Sequence, residues 1–148
     1  MLFEGPLSPF DWGTVEIERG KHRGTLARIK KLVGRYRPAV LTIEEFEGEA
    51  TRRAQRIRRI CHAIVSAADD WEIPVAIYSR AQIRGAFADT GARTRAEIAH
   101  AVLTHIDALR YRTPPPQKPW VGEHPNTSLF SATACVLTHY ALRHGGEQ

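Results

Sequence analysis

A short apolar run, Ala39-Val40-Leu41-Thr42-Ile43, lies between Pro38 and Gly48, with amphipathic stretches of helical period on either side. It reads as a strand buried on both faces, and such a strand needs packing layers above and below it. That requirement confines the chain to a mixed α/β architecture with this strand central. Glu44 closes the run, and Glu45 and Glu47 follow. A doubly buried strand admits an acid only at its end, where the carboxylate reaches water or a cation. Glu44 is therefore a candidate metal ligand.

The neighbouring segments fit the same architecture. Leu26, Ile29, Leu32, Val33 and Tyr36 recur at helical spacing until Pro38, which bars helix at Arg37. After Gly48, Ile57, Ile60, Cys61, Ile64, Val65, Ala68 and Trp71 form the longest apolar stripe, and that helix stops before Pro74. Val75 to Tyr78 reads as a further short strand. Ser79-Arg80-Ala81-Gln82 and Thr94-Arg95-Ala96-Glu97 both match the capping box, so a helix starts at each, with a turn region from Gly85 to Gly91 between them. Upstream, Met1 to Phe3 and Asp11 to Arg19 are expected as strands joined by a turn. Downstream, a proline-rich loop within about residues 111–125 precedes a last helix with Asn126 or Thr127 as its expected cap, ended by Gly145-Gly146.

With 148 residues and 43% hydrophobic content, the chain is expected to fold as a single domain, residues 1–148. Cys61 and Cys135 are far apart and lie within apolar patterns, so they read as packed thiols in a reducing compartment. No basic leader and no apolar run of membrane-spanning length is visible, and a cytoplasmic location without a membrane partner is expected. Lys and Arg number 21 against 16 Asp and Glu, a formal charge of +5 that favours polyanionic partners.

The cations are concentrated. Arg52, Arg53, Arg56 and Arg59 open the helix that follows Glu44, and Arg52, Arg56 and Arg59 share one helical face. Guanidinium groups clamp a phosphodiester bidentately, while a carboxylate-bound magnesium serves the scissile phosphorus. A solvated face paired with Glu45, Glu47 and Glu49 explains the same residues equally well. Arg80, Arg93 and Arg95 sit at helix starts, where a phosphate would offset their opposition to the helix dipole. The histidines lack zinc-ligand spacing and are expected at or near the surface. Trp120 is expected to clamp the proline loop or, less readily, to stack on a base.

Val40-Leu41-Thr42-Ile43-Glu44-Glu45, the arginine-rich helix, Pro74-Val75-Ala76-Ile77-Tyr78-Ser79-Arg80, Gly91-Ala92-Arg93-Thr94-Arg95-Ala96-Glu97, Lys118-Pro119-Trp120 and Leu129-Phe130-Ser131-Ala132 together resemble the RuvC-type Holliday junction resolvases. The resemblance covers nearly the whole chain. It implies an RNase H-like fold, a five-stranded mixed sheet flanked by helices, and magnesium-dependent cleavage of structured DNA by clustered acids. The family's strand-tip acid falls on Glu44, which would be both catalytic and metal-binding. Two departures accompany the match. The family's first central strand, with its Asp, has no counterpart here, and Asp11 does not replace it. Ser128 and Ser131 stand where the family places acids. The resemblance thus implies a DNA-binding protein, with branched DNA and a homodimer expected, Mg2+ as cofactor if active, and impaired catalysis. The competing class is a non-catalytic protein-interaction module whose proline loop docks a partner.

Overall fold

A computed structural model describes residues 1–14, 22–46, 52–115, 124 and 126–145. The part of the expected second strand at residues 15–19 lies outside that description, as do Lys21, Glu47, Glu49, Lys118, Trp120, Glu123 and most of the proline loop. The described chain divides into two compact units, Val15–Ile77 and Met1–Thr14 with Tyr78–Gln148.

In the first of these units, helix α1 (His22–Tyr36) packs against helix α2 (Arg52–Asp70), with Leu26, Ile29, Val33 and Tyr36 of the expected apolar stripe half-buried and Leu32 exposed. Two glycines, Gly24 and Gly34, lie within α1, each about 1 kcal/mol less favourable there than alanine. The helix ends as the proline demands. Arg37 leaves the helical region for φ 45°, and its N–H still donates to the Val33 carbonyl at 2.8 Å. Strand β3 (Leu41–Glu44) pairs with strand β4 (Val75–Tyr78). The Leu41 N–H donates to the Pro74 carbonyl at 2.9 Å, so both strands begin at the same end of the pair. The pair is therefore parallel, with α2 as its crossover.

The end of α2 shows what stops it. The Ile73 N–H bonds the Ala68 carbonyl at 2.9 Å and the Glu72 N–H bonds that of Asp69 at 3.0 Å, the two bonds of a Schellman motif. Glu72 fills the left-handed position, φ 57°, where a side chain is disfavoured by about 1–2 kcal/mol. Glu72→Gly is accordingly expected to raise the unfolding free energy by about 1 kcal/mol after the extra chain entropy of glycine is subtracted. Urea denaturation measures it, and a destabilised variant would contradict the motif.

The second unit opens with an antiparallel hairpin, β1 (Leu2–Gly5) and β2 (Ser8–Asp11). The strand expected from Asp11 onward therefore begins three residues earlier, and Trp12 to Thr14 are not strand. Gly5-Pro6-Leu7-Ser8 turns the chain straight back, so pairing starts at Ser8. Pro9 then interrupts the ladder because it has no N–H, and the register shifts between Leu2↔Asp11, Phe3↔Pro9 and Gly5↔Ser8. Four described strands thus form two pairs, where the resemblance implies five in one sheet.

Helix α3 (Arg80–Ala86) and helix α4 (Arg95–His105) start at the two expected capping boxes, and both boxes are reciprocal. The last helix, α5 (Thr127–His144), packs on both. Asn126 precedes it in a helical conformation and makes no side-chain cap bond. Phe130, Leu129, Val102, Ile106, Leu109 and Phe87 form the core between these helices, with Phe3 and Trp12 of the hairpin segment packed against it. Thr133 and Thr138 are fully buried in α5, yet their hydroxyls donate to the Leu129 and Ala134 carbonyls at 2.8 Å, so neither leaves an unmet polar group.

Candidate nucleic-acid interface

The predicted site residues fall into two sets, one in each compact unit. Glu44, Arg56 and Arg59 belong to Val15–Ile77, and Arg80, Arg93 and Arg95 to the other. Glu44 is the last residue of β3 and is half-buried, as a strand-tip acid should be, whereas Glu45 beside it is exposed. Behind them Phe46 sets its ring against that of His62 on α2, edge to face at 5.1 Å between centroids. Arg52 and Arg53 supply the first two residues of α2, and their side chains lie outside the description. Arg56 and Arg59 are exposed and stand one helical turn apart on α2.

In the second unit Arg80 and Arg95 are the first residues of α3 and α4, and Arg93 precedes α4; all three are exposed. The helix starts themselves are already supplied with acceptors. Gln82 accepts from the Ser79 N–H at 2.9 Å. Glu97 accepts from the N–H groups of Arg93 and Thr94 at 2.8 Å each. The Arg93 N–H, then that of Thr94, holds the Glu97 carboxyl below the usual carboxylate range. A phosphate arriving at α4 meets this carboxylate, so phosphate binding there depends on the guanidinium groups rather than on the helix dipole.

The residues described do not fit a magnesium pair. Among them no three His, Cys, Asp or Glu side chains come together in a metal-holding group. The first turn of α5, which carries Ser128, contains no acid, and Ser131 follows it half-buried. Two divalent ions 4 Å apart repel by about 16 kcal/mol at an effective dielectric of 20, four times the value for unit charges. One carboxylate at Glu44 does not offset that.

Solved structures give the frame for these residues. RuvC from Thermus thermophilus in complex with a Holliday junction substrate matches with a TM-score of 0.65 and 22% identity, over 89% of this chain and 76% of that one. The fold is RuvC-like. A second Thermus thermophilus RuvC structure matches at 0.62 with 21% identity over the same shares. No protein-family model matches the sequence, and neither does any curated protein. The RuvC-like fold accounts for the mixed α/β order of the elements, with small sheets flanked by helices.

Sequence reasoning missed one polar pair. His139, expected near the surface, is buried on α5, and the Tyr78 hydroxyl lies 2.7 Å from its Nδ1. The signal was present in the spacing: Leu129, Thr133 and Phe130, Ala134, Thr138 run down the buried side of α5, and His139 continues from Cys135 along the same side. Burial, with Arg143 as a second cause, lowers the His139 pKa from its ordinary value. A buried neutral histidine stabilises the fold above the ordinary pKa of about 6.5. Below that pH the unfolded chain takes up the proton first, so stability falls until the lowered folded-state pKa is passed. Urea midpoints are expected to drop between pH 7.5 and 5, and His139→Gln to flatten the drop; an unchanged slope would remove the assignment.

Proposed function

We propose that this protein is a RuvC-like DNA-binding protein that engages the phosphates of duplex or branched DNA through arginines and is impaired as a magnesium-dependent nuclease. The observation that carries the reading is a RuvC-like fold that presents Arg56 and Arg59 to solvent on the helix following the strand-tip Glu44. Arg52 and Arg53 extend the same clamp, and Arg80, Arg93 and Arg95 bind phosphates from the other compact unit. Each neutralised phosphate releases counterions, which makes the affinity salt-dependent. Glu44 is the remaining family acid. By itself it lacks the partners that hold a metal pair, so binding is separated from strand scission.

The test is a labelled four-way junction incubated with the purified protein, with and without magnesium. Retarded but uncut DNA is expected, with affinity falling steeply as salt rises. Cleavage would show that acids outside the described residues complete a metal site. No retention even at low salt would favour the protein-interaction module. Sedimentation of the same sample reads the homodimer that the resemblance implies.

A further inference from the structure

Helix α1 has a surface that the proposed clamp does not use. Its sequence contains Arg23, Arg28, Lys30, Lys31 and Arg35 and no Asp or Glu, and all five cations are exposed. At about 100° per residue, Arg28, Lys31 and Arg35 fall within about 60° of one another, a row about 10 Å long. Among the described residues none of Arg28, Lys30 and Lys31 joins an ion pair. Arg35 is held over the ring of Tyr36 at 5.1 Å. A solvated helix face ordinarily alternates the sign of its charges, and this one does not. Its like charges at i, i+3 and i, i+4 repel, and nothing on the helix relieves them.

Small residues accompany the row. Gly24 lies among the three cations and Ala27 beside them, both exposed. A Cβ built on Gly24 or Gly34 would meet nothing within 4 Å, so neither glycine is required by packing inside the chain. The absence of bulk at Gly24 lets an extended backbone approach the helix between the long cationic side chains. We infer that the outer face of α1, with Arg28, Lys31 and Arg35 as its contacts, is a second seat for the sugar-phosphate backbone of DNA, separate from the arginines of α2.

The choice of DNA follows from what the rest of α1 does. A membrane-surface helix needs a continuous apolar face for insertion, whereas Leu26, Ile29, Val33 and Tyr36 are half-buried in a helix packed on α2 and Leu32, 42% exposed, is a single apolar side chain among the cations. A row of about 10 Å spans about three base steps of one strand at about 3.4 Å each. The inference rests on the proposed DNA-binding function and adds a second contact surface to it.

The test uses the full chain and the variant Arg28→Gln/Lys31→Gln/Arg35→Gln, which keeps helix propensity nearly constant. Affinity for a 25-base-pair duplex and for a four-way junction is measured from 50 to 200 mM salt. Losing three phosphate contacts is expected to reduce the slope of log affinity against log salt by about 2.7, shrinking the affinity change over that range by roughly 40-fold. The melting temperature is expected to be equal or higher, because repulsion has been removed. If the triple variant melts lower, Lys31→Gln alone carries the test, with a slope change of about 0.9. Unchanged slopes, with the α2 variant Arg56→Gln/Arg59→Gln weakened, overturn the α1 surface and leave the proposed function standing. A triple variant that loses slope beside an unaffected α2 variant does the reverse for the α2 clamp. Wild-type protein that binds no DNA at 50 mM salt removes both. Loss of binding to phosphatidylserine vesicles in the triple variant, with DNA affinity intact, also overturns the inference.

Discussion

Phe130→Ala is expected to lose about 3–5 kcal/mol of unfolding free energy, the usual loss when a buried aromatic is truncated in a core that collapses only partly. Phe130 is 2% exposed and stands near the start of α5, the helix that packs on both α3 and α4. Its removal leaves a cavity shared by three helices rather than a dent at one contact. Domains of this size have only about 5–15 kcal/mol in total, so the variant keeps a small margin at best. At about 2–4 °C per kcal/mol, the melting temperature falls by roughly 6–20 °C. Leu142→Ala, on the same helix but 47% exposed, is the control, with an expected loss of about 1 kcal/mol or less. Equal losses in the two variants would mean that the buried side of α5 has been misassigned.

Arg56→Gln/Arg59→Gln is expected to weaken binding to a four-way junction without altering the fold. Both side chains are exposed, and glutamine has nearly the helix propensity of arginine, so the melting temperature stays within about 2 °C of wild type. Two lost phosphate contacts reduce the slope of log affinity against log salt by about 1.8, and the affinity change between 50 and 200 mM salt shrinks by about 12-fold. Glu44→Gln offers the matching electrostatic control: removing an anion beside phosphates leaves affinity equal or raises it. If the double variant binds as wild type does, Arg56 and Arg59 are a solvated face, the alternative that the sequence left equally open.

How much was legible in the sequence depended on the range of the interactions involved. Both capping boxes were, because Ser79 with Gln82 and Thr94 with Glu97 satisfy each other within four residues. Pro38 and Pro74 marked the ends of α1 and α2 for the same local reason, a missing donor and a forbidden conformation. Within the described residues the second strand starts earlier than expected because its start is set by pairing with β1 across the Pro6-Leu7 turn, not by its own alternation. Arg56, Arg59, Arg80, Arg93 and Arg95 could be nominated from charge and position, but the acceptors at the start of α4 showed that guanidinium groups, not a vacant helix terminus, must carry any phosphate contact there.

The sequence by itself determined the α/β order of elements, the ends of α1 and α2, the caps of α3 and α4, and the strand-tip position of Glu44, since each follows from periodicity and from bonds between near neighbours. Only the tertiary structure decided that His139 is buried against Tyr78, that the described strands form two separate pairs, and that α1 half-buries Leu26, Ile29, Val33 and Tyr36 while Leu32 and the unbalanced cations face solvent. Those outcomes depend on which surfaces meet across tens of residues, and burial is a property of the meeting rather than of either segment.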